Sequence, residues 1–99
     1  MRYERKRDTV YVYLEGDLDH CRAQSVRREL DELLGDVHVK RLVLDMRLLG
    51  FMDSSGIGVI LGRYRTLSQR GGSVAVTKMN AHVRRIFTLS GMGQIIDIV

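Results

Sequence analysis

The sequence predicts an α/β domain with a mixed, mostly parallel β-sheet and helices packed against it. Segments with strand periodicity alternate with segments of helical periodicity along the 99 residues, in the order β(β)αβαβαβ. Strands that alternate with helices are typical of parallel sheets with crossover connections. A hydrophobic content of 44% and a charged content of 28% fit a globular chain of one domain, spanning residues 1–99.

The first half of the chain predicts a hairpin followed by a helix. Thr9 to Glu15 alternates apolar and polar side chains and predicts a half-buried strand, which Tyr3 to Lys6 can pair with across a turn. Such a hairpin would make the sheet mixed. Asp19 is placed to cap the first helix, and Gly35 to end it. The apolar positions of this helix are Ala23, Val26, Leu30, Leu33 and Leu34.

The second half predicts three more strands and two helices. Arg41 to Met46 is a short, mostly apolar run that suits a central strand covered on both faces. Ser54 to Gln69 predicts the second helix, and Ser73 to Thr77 the next strand. Asn80 is expected to cap a third helix that ends at Gly91, before a last strand in "IIDIV".

Composition and charge narrow the classes of function. A single cysteine, Cys21, excludes a fold held by internal disulfides, and we expect it to be a half-buried thiol. No run approaches 18 apolar residues, so we expect no membrane association and a cytoplasmic protein. The net charge of +4 invites a nucleic-acid interpretation, but the basic residues are scattered and aromatic residues make up only 6%. This pattern disfavours direct nucleic-acid binding.

The segment "FMDSSGIGVILGRYR", residues 51–65, places two serines before a glycine-spaced helix. It does not match a nucleophile elbow, because Met52 stands where that motif needs glycine. Its glycine spacing is not that of a dinucleotide fingerprint, and it lacks the lysine of a phosphate-binding loop. The three histidines, His20, His38 and His82, have no metal-ligand spacing and favour capping or solvated roles. We therefore expect no enzyme activity, cofactor or metal.

Helical arithmetic divides the second helix into faces. The predicted core face contains Ile57, Ile60, Leu61, Tyr64 and Leu67. A separate stripe contains Ser54, Gly58, Gly62, Arg65 and Gln69, and we expect Val59 and Arg63 still further from the core. Gly58 and Gly62 fit either packing against a neighbouring helix or contact with another molecule.

Ser54 has two interpretations at the start of this helix. It can be the N-cap, a role for which Asp53 competes. It can also be a phosphoacceptor, because helix N-termini accommodate negative charge. A phosphate on a docking surface would then switch association with a partner.

The D-S-S-G block, together with "GDLDH" at residues 16–20, resembles the bacterial STAS-domain anti-sigma factor antagonists, above all the sporulation branch that acts on the anti-sigma F factor. The resemblance covers nearly the whole chain. It implies a phosphoprotein of transcription regulation, whose unphosphorylated form binds an anti-sigma factor that is also a serine kinase and so releases the sigma factor. Ser54 matches the serine that the kinase phosphorylates, and a serine phosphatase reverses the modification.

The same resemblance implies a partner-binding surface. It comprises Gly16, Asp19, Asp53, Ser55, Gly56, Gly58, Gly62 and Arg63. Asp17 replaces the more usual glutamate of the loop, and family members usually continue into a further C-terminal helix. Three alternatives stay open: an antagonist of a stress-response partner switch, which shares D-S-S-G; a nucleotide-binding α/β domain; and a small basic nucleic-acid binder.

Overall fold

The computed structural model describes all 99 residues and contains five strands and three helices. The elements are β1 (Arg2–Lys6), β2 (Thr9–Leu18), α1 (His20–Leu33), β3 (Arg41–Met52), α2 (Ser54–Ser68), β4 (Ser73–Thr77), α3 (Ala81–Leu89) and β5 (Asp97–Ile98), with a 3-10 turn at Met92–Gln94. The predicted α/β class and order of elements are confirmed. None of the three helices combines the length and the apolar composition that a membrane-spanning segment requires.

The sheet is mixed, with the strands in the order β1-β2-β3-β4-β5. β1 runs antiparallel to β2, which confirms the predicted hairpin, and Arg7 has a positive φ of 58° in the turn that joins them. The other neighbours are parallel. Each parallel crossover therefore moves one strand further in the same direction.

Right-handed crossovers that all move in one direction place their helices on the same face of the sheet. The apolar core lies beneath those helices and includes Leu42 and Leu44 of β3. Val43, between them, is also buried but points to the opposite face and lies outside this core. The central strand is thus buried on both faces, as predicted, but its two faces have different surroundings.

β3 is longer than the sequence predicts. It continues past Met46 to Met52, and residues 48–52 pair with residues 15–18 of β2 through two register irregularities. The neighbouring strands do not pair with this extension. β1 pairs with β2 only over residues 9–13, and β4 pairs with β3 only over residues 41–45. The ends of β2 and β3 therefore form a two-stranded extension of the sheet, which we call the paired extension, residues 15–18 and 48–52.

Candidate functional site

The paired extension places the starts of α1 and α2 at the same end of the sheet. β2 ends at Leu18, two residues before α1, and β3 ends at Met52, two residues before α2. Carboxyl ends of parallel strands meet at one edge, where α/β proteins commonly bind ligands and partners. The predicted loop, residues 16–20, and the two serines thus lie at this edge together.

Aspartates cap both helices. Asp19 Oδ1 accepts a hydrogen bond from the backbone N–H of Arg22 at 3.1 Å, which confirms the predicted cap of α1. Asp53 Oδ1 accepts from the N–H of Ser55 at 2.8 Å, so Asp53, not Ser54, caps α2. The second oxygen of Asp53 accepts from the N–H of His20 at 3.3 Å. One carboxylate therefore joins the first turns of both helices.

Ser54 is the first residue of α2, is exposed, and its hydroxyl makes no side-chain hydrogen bond within the chain. The N–H groups of the first helical turn and the helix dipole give this position a positive electrostatic potential. These groups favour an anionic group on the Ser54 oxygen, and the adjacent Asp53 carboxylate opposes it. Ser55, beside it, is half-buried and faces α1.

Gly56 is required by packing. A Cβ atom at this position would lie 2.5 Å from Met52 Cγ and 2.7 Å from the carbonyl oxygen of Leu18. The start of α2 thus lies directly against the ends of β2 and β3. Gly56 is buried, so it allows the close packing at the site but has no exposed surface that a partner could contact.

Gly58 and Gly62 lie in a different environment. A Cβ atom at either position would have no heavy atom within 4 Å. Neither glycine therefore packs closely against another helix of this chain, and contact with another molecule stays a prediction. Together with Ser54 they form an exposed to half-buried stripe along α2.

The predicted outer position of Val59 and Arg63 is wrong. Their relative exposures are 5% and 7%, because both face α1. The buried residues of α2 are centred roughly 80° from the predicted core face by helical arithmetic. The sequence pattern cannot show that α2 packs against a helix as well as against the sheet. The full set of buried residues in α2 is Gly56, Val59, Ile60, Arg63 and Leu67.

Arg63 is an unusual component of this helix–helix contact. Its Nε lies 3.0 Å from Asp31 Oδ1 of α1, but Nε and Nη1 have no well-aligned hydrogen-bond acceptor. Burial lowers the pKa of the guanidinium, and the nearby Asp31 carboxylate opposes that shift while Arg27 adds to it. Because Arg63 lies between the helices, it is not part of the stripe that Ser54, Gly58 and Gly62 form.

A shallow cavity of about 480 Å³ lies between the first turns of α1 and α2. It brings the predicted site residues Ser55 and Gly58 beside residues of α1 that were not predicted to belong to the site. Its lining includes His20, Cys21, Gln24 and Arg27. Cys21 is exposed here, contrary to the half-buried position expected for it.

The sequence predicts that the strand stops at Glu15 and that a loop follows, but β2 continues to Leu18, and Arg22 holds its last residues in place. Gly16 adopts a positive φ of 78°, which glycine tolerates without strain. The guanidinium of Arg22 donates from Nη1 to the carbonyl oxygens of Glu15 and Asp17, on either side of that glycine. The sequence signal for this contact is only that an arginine follows the cap of α1 by three positions.

The structure therefore assembles most of the predicted site. Gly16, Asp19, Asp53 and Ser54 lie around the two capped helix starts, and Gly58 lies on the adjoining turn of α2. Gly62 continues the stripe one turn further. Gly56 and Arg63 are buried. No group of three or more histidine, cysteine, aspartate or glutamate side chains is arranged to hold a metal ion.

Comparison with known proteins identifies the family. The sequence model of the STAS domain matches residues 1–99, and the chain belongs to the STAS domain family. It is 42% identical over 95 residues to the anti-sigma F factor antagonist of Paenibacillus polymyxa, an alignment that covers 96% of this chain and 81% of that protein.

Two solved structures of an anti-sigma factor antagonist are also similar to this chain. The structure of the anti-sigma factor antagonist SpoIIAA in its unphosphorylated form superposes with a TM-score of 0.86 at 31% identity, covering 99% of this chain and 86% of that one. The Bacillus cell fate determinant SpoIIAA in its phosphorylated form gives a TM-score of 0.77 at 30% identity, with 99% and 89% covered.

Proposed function

We propose that this chain is an anti-sigma factor antagonist that is switched by phosphorylation of Ser54. Its unphosphorylated form binds an anti-sigma factor that is also a serine kinase, and the sigma factor is released. The observation that carries this proposal is the exposed Ser54 hydroxyl at the start of α2, where Asp53 already caps the helix. The similarity to an antagonist of the anti-sigma F factor, and to a protein solved in both phosphorylation states, supports it.

Phosphorylation of Ser54 need not disturb the fold. The capping interaction belongs to Asp53, so modification of the Ser54 oxygen removes no hydrogen bond. The first-turn N–H groups and the helix dipole favour the added charge, which is about −1.5 to −2 at neutral pH. The phosphorylated chain should therefore stay folded.

The phosphate would instead act on the docking surface. Gly58 and Gly62 extend from Ser54 along α2 as a strip without large side chains, which permits a partner to approach the helix backbone closely. A phosphate at the edge of such a contact loses hydration without gaining a counter-charge. A penalty of about 3 kcal/mol would weaken binding roughly a hundredfold.

In this scheme the chain is a regulatory protein and not an enzyme, because the kinase supplies the catalytic groups. A serine phosphatase restores the binding form. Both reactions take place where sigma factors act, which is the cytoplasm. Gly16, in the last part of β2, and Asp19, between β2 and α1, complete the surface that the kinase contacts.

Incubation with an anti-sigma F factor kinase and ATP tests the proposal. The wild-type chain should gain one phosphate by intact mass, and peptide mapping should place it on Ser54. Ser54→Ala should gain none while binding the kinase with wild-type affinity, and Ser55→Ala is the matched control that should still be phosphorylated. Phosphate incorporated equally into wild type and Ser54→Ala would eliminate the assignment.

The effect of charge is a separate measurement. The phosphorylated chain, purified and checked by circular dichroism, should bind the kinase about a hundredfold more weakly than the unmodified chain in calorimetric titration. Equal affinities would show that phosphorylation at Ser54 does not control association.

A further inference from the structure

The outer edge of β3 in the paired extension has no neighbouring strand. β4 pairs with β3 only as far as the Asp45–Thr77 position, so residues 48–52 have one side without a β-ladder. Unpaired carbonyl groups on such an edge need other hydrogen-bond donors. In this structure the donors come from the start of α3.

Asn80 supplies these hydrogen bonds. Its Nδ2 donates to the carbonyl oxygens of Leu49 at 3.1 Å and Gly50 at 3.2 Å. Its Oδ1 accepts from the N–H of Val83 at 2.8 Å and so caps α3. The two ends of one carboxamide therefore connect the start of α3 to the end of β3.

Two neighbouring side-chain contacts also join the region around the start of α3 to β3. The ring of His82 stacks on Phe51, with centroids 5.0 Å apart and planes at 17°. Lys78, just before α3, pairs with Asp45 at 3.5 Å. Lys78, Asn80 and His82 thus contact β3 at three successive places. Of these contacts, only that of Asn80 is made with the free backbone carbonyls.

The part of β3 that Asn80 holds leads directly to the modified serine. Gly50 precedes Ser54 by four residues, and Asp53, between them, caps α2. A phosphoacceptor oxygen must be held in line with the transferred phosphoryl group, and small displacements reduce the rate strongly. The position of Ser54 therefore depends on how firmly residues 49–53 are held.

We propose that Asn80 is a positioning residue for Ser54, acting through the Leu49 and Gly50 carbonyl groups and touching neither ATP nor kinase chemistry. The proposal deepens the function proposed above and rests on it for its kinetic consequence. Its structural part, that the Asn80 carboxamide restrains residues 49–53, can be tested in the free protein.

Three substitutions separate the two hydrogen-bonding roles of Asn80. Asn80→Ser keeps a good helix cap for α3 but is too short to reach the β3 carbonyls. Asn80→Asp also keeps the cap, but it presents an oxygen to those carbonyls where wild type presents a donor. Asn80→Ala loses both the cap of α3 and the hydrogen bonds to β3, and so measures their combined effect.

In the free protein, amide hydrogen exchange should be about fivefold to tenfold faster at residues 49–53 in Asn80→Ser and Asn80→Asp, as expected when one or two hydrogen bonds are lost locally. The N–H of Val83 should stay protected in both and become exposed only in Asn80→Ala. Wild-type exchange at residues 49–53 in Asn80→Ser would overturn the proposal.

With the kinase, kcat for Ser54 phosphorylation should fall about fivefold in Asn80→Ser and Asn80→Asp, while affinity for the kinase changes less than twofold. A role limited to stability would not lower kcat, because both variants stay folded at the assay temperature. A wild-type kcat with faster exchange would overturn the kinetic part. If the wild-type chain is not phosphorylated at all, the proposed function fails, and hydrogen exchange still decides whether Asn80 restrains β3.

Discussion

Asp53 and His20 are 33 positions apart, and the Asp53 carboxylate accepts a hydrogen bond from the His20 backbone N–H at 3.3 Å. The other oxygen of the same carboxylate caps α2 through the Ser55 N–H at 2.8 Å. The acid of the D-S-S-G block therefore fixes the start of its own helix and also the distance to the start of α1. This side chain therefore links the two parts of the proposed partner surface, in addition to the paired extension.

Asp53→Ala should destabilise the chain by about 1–2 kcal/mol, because it removes the cap of α2 and the link to α1. Asp53→Asn should cost less, since its amide oxygen can still cap Ser55, but its amide nitrogen cannot accept from His20. Urea unfolding gives the free energies, and amide exchange at His20 reports the link. Slow, wild-type exchange at His20 in Asp53→Asn would contradict the assigned link.

The glycines of α2 should respond to alanine with opposite signs. Gly56→Ala places a methyl group against the Leu18 carbonyl oxygen at 2.7 Å, and we expect it to cost about 1–3 kcal/mol. Gly58→Ala and Gly62→Ala meet open space, and alanine is the better helix former, so each should gain about 0.5–1 kcal/mol. Urea unfolding of the three variants measures this directly.

The same variants probe the docking stripe. Gly58→Ala should be more stable than wild type and yet bind the kinase more weakly, because the added methyl group projects from the strip next to Ser54. Such a combination separates a contact with another molecule from a contact within the chain. Increased stability with unchanged affinity would remove Gly58 from the proposed surface.

Particular residues show how much the sequence could predict. Asp19 and Asn80 were predicted as caps, because capping depends on a local pattern of an acceptor before an apolar helix. The exposure of Gly58 also followed from its helical position. The burial of Val59 and Arg63 did not, because it depends on the neighbouring helix α1. Helical periodicity describes one helix alone.

Long-range hydrogen bonds escaped prediction for a related reason. β2 and β3 pair in the paired extension through their backbone atoms. Arg22 and Asn80 then donate hydrogen bonds to backbone carbonyl groups of this extension. Backbone acceptors carry no residue-specific signal, so "RLLGFM" gives no indication that Gly50 receives a bond from Asn80. The site residues were predictable as a motif, whereas the side chains that hold the motif in place became visible only in the fold.

Arg63 and Asp31 provide a test of a buried charge. Asp31→Asn removes the neutralising carboxylate and leaves the buried guanidinium without a counter-charge, and we expect it to cost about 1–2 kcal/mol, a value reduced because the Asp31 side chain is half exposed. Arg63→Met removes the charge and keeps much of the side-chain volume, so it should stay within about 1 kcal/mol of wild type. Urea unfolding of both variants and of the double variant completes a thermodynamic cycle. A larger loss for Arg63→Met than for Asp31→Asn would show that the ion pair itself stabilises the helix contact.

Acid stability should depend on Asp36, in the loop after α1. The Arg5 guanidinium, through a hydrogen bond of 2.5 Å, and then the His38 backbone N–H hold the pKa of the Asp36 carboxyl well below its ordinary value of 3.8. A carboxylate whose pKa is lower in the folded state stabilises the fold above its unfolded pKa, and this contribution is lost as the pH falls below that value. The wild-type Tm should therefore fall more steeply than that of Asp36→Asn between about pH 5 and about pH 2.

Arg5→Met is the matched control, because it removes the main cause of the lowered pKa and leaves the carboxylate in place. Its Tm should show a pH dependence between those of wild type and Asp36→Asn, since the His38 N–H still favours the ionised form. Calorimetric scans at closely spaced pH values measure all three curves. Parallel curves for wild type and Asp36→Asn would mean that Asp36 has the same pKa in the folded and unfolded chains, and that the contact between β1 and the loop after α1 does not contribute to acid stability.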